Sequence, residues 1–259
     1  MPQDPHQRPN LLQVPASVAA FEPVSLAGLD KVKLMNRVDS KYVFHRKHLD
    51  EILTEVAPHY AVLEIAEKRL FDYASLYFDT PDYELYRHHH MGKPNRVKLR
   101  YREYIDTGDV FFEVKKKIKG MRTDKYRVRE EAIINGFTAK GEGLMERLKV
   151  NPLGMEGKVW IYYQRITLAA HASEERVTID LNMRFKDHNG EISFEDLVIA
   201  EVKQARLSRH SPIVLALHAR RIQDFRVSKY SLAVAMLVPG IKTHAFKSKI
   251  IRLNKILKS

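Results

Sequence analysis

Apolar and polar side chains alternate with a period of two through RVKLRYREY (96–104), VFFEVKKKI (110–118) and MRTDKYRVREEA (121–132). That is the pattern of strands with one face toward a core. Turn chemistry at 106–109 (AspThrGlyAsp) and at Lys119-Gly120 joins them into an antiparallel meander. Upstream, the spacing predicts a short helix over Ser25 to Met35, a strand through VDSKYVF, a helix from Lys47 to Val56 and strands over Tyr60 to Ile65 and Tyr73 to Phe78. Thr80 and Pro81 read as the N-cap and first position of a further helix. Downstream come a helix over Thr138 to Val150, strands at Val159 to Ala169, Glu175 to Asp180 and Ser193 to Gln204, and helices at Ile213 to Arg221 and Ser228 to Leu237. No internal repeat or low-complexity block interrupts this order.

The ends differ from the middle. Pro2, Pro5, Pro9, Pro15 and Pro23 interrupt any helix or ladder, so residues 1–23 are expected to form a flexible leader. The folded domain is expected over 24–240. Residues 241–259 carry Lys242, Lys247, Lys249, Arg252, Lys255 and Lys258 without an acid, at the spacing of a basic amphipathic helix. Its bland reading is a solvated face; contact with an anion or a membrane surface is the functional one.

With 259 residues, 44% of them hydrophobic and 29% charged, the chain can bury a substantial core. The net charge of +12 turns the search toward polyanionic partners. Cysteine is absent, which excludes disulfides, thiolate catalysis and Cys-based zinc sites. No run approaches the roughly 18 apolar residues of a membrane span, and a cytoplasmic protein is expected.

Alternation puts Arg96, Lys98, Arg100 and Arg102 on one strand face, opposite Val97, Leu99 and Tyr101. Glu113, Lys115 and Lys117 share a face of the next strand, and Lys125, Arg127 and Arg129 a face of the third. A solvated face would normally mix in acids, because like charges across a sheet repel. Lys41, Arg165, Lys203, Arg226 and Lys229 are further candidates. Should the strands close into a barrel, these cations line its lumen, a setting suited to a chain of phosphates.

Four acids, Asp39, Glu113, Asp180 and Glu201, occupy similar strand positions. A magnesium or manganese ion on phosphate takes one or two protein carboxylates. Glu201 is the first choice of metal ligand, with Asp180 and Glu113 behind it; the alternative is that each acid merely pairs with a basic neighbour.

The combination of SKYVF, YFDTPDYELY, RVKLRYREY, FFEVKKK, YYQRITL, VTIDL, IAEVK and FRVSKYSL, in that order over about residues 30–237, resembles the VTC domain. The VTC domain is the catalytic domain of the vacuolar transporter chaperone polyphosphate polymerase, and the resemblance is to its bacterial stand-alone form. The resemblance implies the triphosphate tunnel metalloenzyme (CYTH-like) fold: α+β, an antiparallel β-barrel tunnel with helices packed on the outside. It also implies a phosphotransferase that extends polyphosphate from ATP with a divalent metal, Mn2+ or Mg2+. Carried over motif by motif, Arg100, Arg102, Lys115 and Arg165 are the implied catalytic residues. Lys41, a member of the pair Lys125 and Arg127, and Arg226 with Lys229 are the implied substrate contacts; Lys98, Lys117 and Lys203, which extend the basic faces, are counted with them, and Glu201 matches the metal-binding glutamate of the E-x-K strand.

One departure matters. Hydrolytic members of that superfamily carry an N-terminal E-x-E-x-K strand, where this chain has Arg37, Asp39 and Lys41, which favours the polymerase branch. Hydrolysis of inorganic or nucleoside triphosphate is the alternative enzymatic reading. A non-catalytic module binding polyphosphate or RNA is the alternative outside catalysis, and it lacks a continuous stacking platform of aromatic residues. His88, His89 and His90 are consecutive, not spaced like a zinc helix, and read as a solvated helix end. The LAVAML segment and Trp160 read as packing residues.

Overall fold

The computed structural model describes residues 14–31, 38–118 and 123–258. Its strands are β1 (Glu22–Val24), β2 (Val38–His45), β3 (Tyr60–Leu63), β4 (Phe71–Asp79), β5 (Arg96–Tyr104), β6 (Asp109–Lys117), β7 (Thr123–Glu130), β8 (Glu156–Ala170), β9 (Glu175–Lys186), β10 (Glu191–Phe194) and β11 (Leu197–Gln204). The helices are α1 (Leu26–Lys31), α2 (Leu49–Val56), α3 (Glu84–His90), α4 (Ala139–Arg147), α5 (Pro212–Ala219), α6 (Lys229–Leu237) and α7 (Lys247–Leu257). The class is α+β, with an eleven-stranded sheet in which every ladder with a described register is antiparallel except the parallel pair β1–β3. Among the described residues no helix is long and apolar enough to cross a membrane.

The chain divides into two compact units. The first comprises residues 1–70, 165–182 and 195–225. In it β11 lies between β2 and β9, and β3 pairs with the end of β8. Its core gathers Val18, Phe21, Tyr42, Phe44, Leu53, Ile166, Val177, Val202 and Leu217, among others. A buried carboxylate ties several elements together: Glu175 accepts hydrogen bonds from the Tyr60 hydroxyl, from Ser211 Oγ at 3.0 Å and from Gln204 Nε2 at 2.6 Å. Such a group is tolerated inside a core only when its lone pairs are filled in this way.

The second unit comprises residues 71–164, 183–194 and 226–259. Here β5 pairs with β4 and β6, and β6 with β7. The apolar face of this meander, Leu99, Tyr101, Val110, Phe112 and Val114, packs with Leu144 and Met145 of α4. Thr138 caps α4 by accepting from Gly141 N at 3.1 Å, and its hydroxyl donates to Glu130 Oε1 at 2.6 Å, which fixes the helix to the end of β7.

Several expectations need correction. The leader expected over 1–23 is folded from Val14 onward: Val18 and Phe21 are core residues and β1 pairs with β3. Residues 1–13, 32–35 of the helix expected at Ser25–Met35, the turn at 119–120 and Arg37 lie outside the described residues. α3 begins at Glu84, not at Pro81, because Asp79 caps it: its carboxylate accepts from the backbone of Thr80, Leu85 and Tyr86, each at 2.8 Å. The strand expected at 193–204 is two strands, broken at Glu195 and Asp196.

Candidate functional site

In the second unit, strand register converts the alternating pattern into a site. Arg100 lies opposite Glu113 on β6 and Tyr77 on β4. Its Nε donates to Glu113 Oε2 at 2.7 Å, its Nη2 to the same oxygen at 2.5 Å, and its Nη1 to the Tyr77 hydroxyl at 2.7 Å. The other oxygen of Glu113 is 2.5 Å from Lys125 Nζ. Burial alone would raise the pKa of Glu113, but the charges of Arg100, Arg102 and Lys125 outweigh it and hold the carboxyl well below the usual range. Tyr77 is likewise buried, yet the Arg100 and Arg102 charges lower the pKa of its phenol.

Arg102 is held by aromatic faces. Its guanidinium carbon lies 5.6 Å from the Tyr73 ring centroid and 5.8 Å from that of Tyr163, and these two rings stack 5.1 Å apart. Lys229 Nζ sits 4.5 Å from the Tyr163 centroid. Lys98 donates to Ser228 Oγ at 2.7 Å, the same hydroxyl that caps α6, so this lysine reaches the helix end that carries Lys229. Tyr77 and Tyr230 stack at 5.2 Å, and the Tyr230 hydroxyl donates to Asp79. Arg127 lies over Phe111 at 4.6 Å. Lys115 and Lys117 are exposed on the same face, opposite Lys98 and Arg96.

In the first unit, Glu201 on β11 lies opposite Lys41 on β2 and Thr178 on β9. Its oxygens are 3.6 Å from Lys41 Nζ and 3.7 Å from Lys203 Nζ, and Lys203 donates to Thr178 Oγ1 at 3.2 Å. Burial, against the pull of Glu201, pushes the pKa of Lys203 down to about 8. Arg165 binds Asp180 through two parallel bonds, Nε to Oδ1 at 2.6 Å and Nη2 to Oδ2 at 3.0 Å, with Asp180 only 1% exposed.

Both oxygens of Asp180 are engaged by Arg165, and those of Glu113 by Arg100 and Lys125. Glu201 is ion-paired with Lys41 and Lys203 at 3.6 and 3.7 Å. Among the described residues no group of three or more His, Asp or Glu could cage a metal. A hard cation on phosphate takes only one or two protein carboxylates, so phosphate and water would complete its shell at such acids.

The family model for the VTC domain matches residues 36–238. The chain belongs to the VTC-domain family. No curated protein matches it. Among solved structures it is similar to a candidate adenylate cyclase from Bacillus halodurans, at 11% identity over 74% of this chain and 94% of that one, with a TM-score of 0.47. It is also similar to HpAC1 from Hippeastrum, a candidate adenylyl cyclase described as having a dominant triphosphatase activity, at 12% identity over 79% and 98% with a TM-score of 0.45. The PH1819 protein from Pyrococcus horikoshii OT3 aligns at 13% identity over 76% and 98%, with a TM-score of 0.41.

Within this VTC domain, the second unit gathers Arg100, Arg102, Lys125, Lys98 and Lys229 around shared partners, and the first gathers Lys41, Lys203 and Glu201 with Thr178, and Arg165 with Asp180. Arg226 is exposed, and burial first, then the Arg226 charge, lowers the pKa of Lys249. Sequence reasoning missed Tyr73, Ser75 and Tyr77. Their period of two puts them on the arginine side of β4, and only the β4–β5 register makes that visible. The histidine run is not a solvated helix end: His90 is 9% exposed, accepts from Ala245 N at 3.1 Å and meets His244 edge-on.

Proposed function

We propose that this VTC domain is a polyphosphate polymerase that transfers the γ-phosphate of ATP to a growing polyphosphate chain in a basic tunnel. The observation that carries the reading is the cationic face of β5–β7, where Arg100 is aimed by Glu113 and Tyr77 among Lys98, Arg102, Lys115, Lys117, Lys125 and Arg127. Like charges across neighbouring strands repel, and a bound polyanion would relieve that repulsion. Family membership supports a phosphate polymer as that polyanion, and ATP as the donor suits a cytoplasmic location.

The attacking terminal phosphate oxygen is already ionised at neutral pH, so positioning and charge neutralisation can carry the reaction without a general base. In the second unit, Arg100 and Arg102 neutralise charge on the transferred phosphoryl group, Lys115 and Lys125 support them, and Lys98, Lys117, Arg127, Arg226 and Lys229 guide the chain. In the first unit, Arg165, oriented by Asp180, and Lys41 and Lys203 bind phosphate oxygens. Mn2+ or Mg2+ held by Glu201 would supply further charge neutralisation on those oxygens. Glu113 and Asp180 orient arginines in this reading.

Incubation with ATP and Mn2+, followed by electrophoresis for polymer and assay of free orthophosphate, tests it. Long polymer with ADP supports the proposal. Orthophosphate alone makes the chain a triphosphatase, and salt-dependent polyphosphate binding without turnover makes it a binding module.

A further inference from the structure

His89 of α3 sits beside a second cluster of cations, all within the second unit. His89 is stacked on Phe246, with ring centroids 6.0 Å apart, and Lys249 Nζ lies 5.7 Å from the same Phe246 ring. Arg96 and Lys117 are register partners at the end of the β5–β6 ladder. The charges of Lys98, Arg96, Lys249 and Lys117 all bear on the His89 imidazole. Its Nδ1 is buried without a hydrogen-bond partner among the described residues. Lys98 has Ser228 as a partner, but among the described residues no ion pair neutralises Arg96, Lys117 or Lys249.

A buried donor or acceptor left unmade is costly, and so is an uncompensated group of like charges. Both costs are relieved by one thing, an anion with oxygens that accept from several donors at once. Arg96 precedes Arg100 by four residues, roughly 13 Å along an extended strand, so an anion here is separate from phosphates held at Arg100.

We propose that His89, Arg96, Lys117 and Lys249 form an outer phosphate subsite, which takes a phosphate group of a polyphosphate chain beyond those held at Arg100. The inference rests on the phosphate-polymer reading above and adds to it a contact that only longer chains reach. His89 and Lys249 supply the subsite from outside the sheet, on α3 and α7.

Binding of tripolyphosphate and of long-chain polyphosphate to the full chain, measured by calorimetry in one buffer, tests this. Lys249→Ala and His89→Ala are each expected to weaken long-chain binding about tenfold, the scale of one charge-assisted hydrogen bond, and to leave tripolyphosphate binding unchanged. Lys255→Ala, an exposed charge on the same helix, controls for general electrostatics and is expected to change neither. Should Lys249→Ala, with an unaltered melting temperature, leave both affinities unchanged or weaken both equally, the subsite is overturned. Binding of neither polymer by the unaltered chain would overturn the phosphate reading itself, and the subsite with it.

Discussion

Arg100 and Glu113 face each other across β5 and β6, and one carboxylate oxygen takes two guanidinium nitrogens at 2.7 and 2.5 Å. With Glu113 only 2% exposed, this pair fixes the direction of the arginine, and Tyr77 fixes its remaining nitrogen. An arginine held on both sides loses little freedom when phosphate arrives, which is how a charged surface becomes a positioned site.

Glu113→Gln should therefore cost more than a surface charge would. Breaking a buried pair destabilises by about 3 kcal/mol or more. Urea denaturation at pH 7 checks this. The folded-state pKa of Glu113 lies below its unfolded value, so its contribution is present above about pH 4.5 and is lost as pH falls below that. The gap between the unaltered chain and Glu113→Gln is expected to narrow in acid.

Tyr77→Phe removes only the hydroxyl that accepts from Arg100 Nη1. The stack on Tyr230 remains, so stability is expected to fall by about 1 kcal/mol. Loss of this anchor should lower kcat about tenfold with little change in KM, because ATP still meets the charge of Arg100. A larger KM with unaltered kcat would show that Tyr77 contacts substrate directly.

Burial first, and then the charges of Lys98, Arg96, Lys249 and Lys117, push the pKa of His89 down to about 3. Unfolded, the residue titrates near 6.5, so the unfolded chain binds the extra proton and stability falls as pH drops from about 6.5 toward 3. His89→Gln is expected to lose less stability than the unaltered chain between pH 7 and pH 4.5. Equal losses in the two proteins would show that His89 is not held neutral.

The two faces of β5–β7 were legible because strand periodicity is local: Val97, Leu99 and Tyr101 point one way and Arg96, Lys98, Arg100 and Arg102 the other, whatever the strand pairs with. What each arginine touches was not legible. The partnership of Arg100 with Tyr77 depends on a register between β4 and β5, and that of Arg102 with Tyr163 on side chains 61 residues apart in the chain. The segment before Pro23 misled for another reason. Proline interrupts ladders and helices, but it does not prevent Val18 and Phe21 from burying their side chains, and three residues of β1 suffice to pair with β3. The start of α3 was misplaced because Asp79, the last residue of a strand, reaches forward to cap it.

Polymer synthesis by Arg100→Lys is the most direct test of the central claim, that an oriented guanidinium on this face neutralises the transferred phosphoryl group. The substitution keeps a cation beside Glu113 but cannot reproduce the fork shared between Glu113 and Tyr77. With ATP and Mn2+, the variant is expected to make polymer about 100-fold more slowly while remaining folded at the assay temperature, its melting temperature lowered by only a few degrees. A rate equal to that of the unaltered chain would contradict the account.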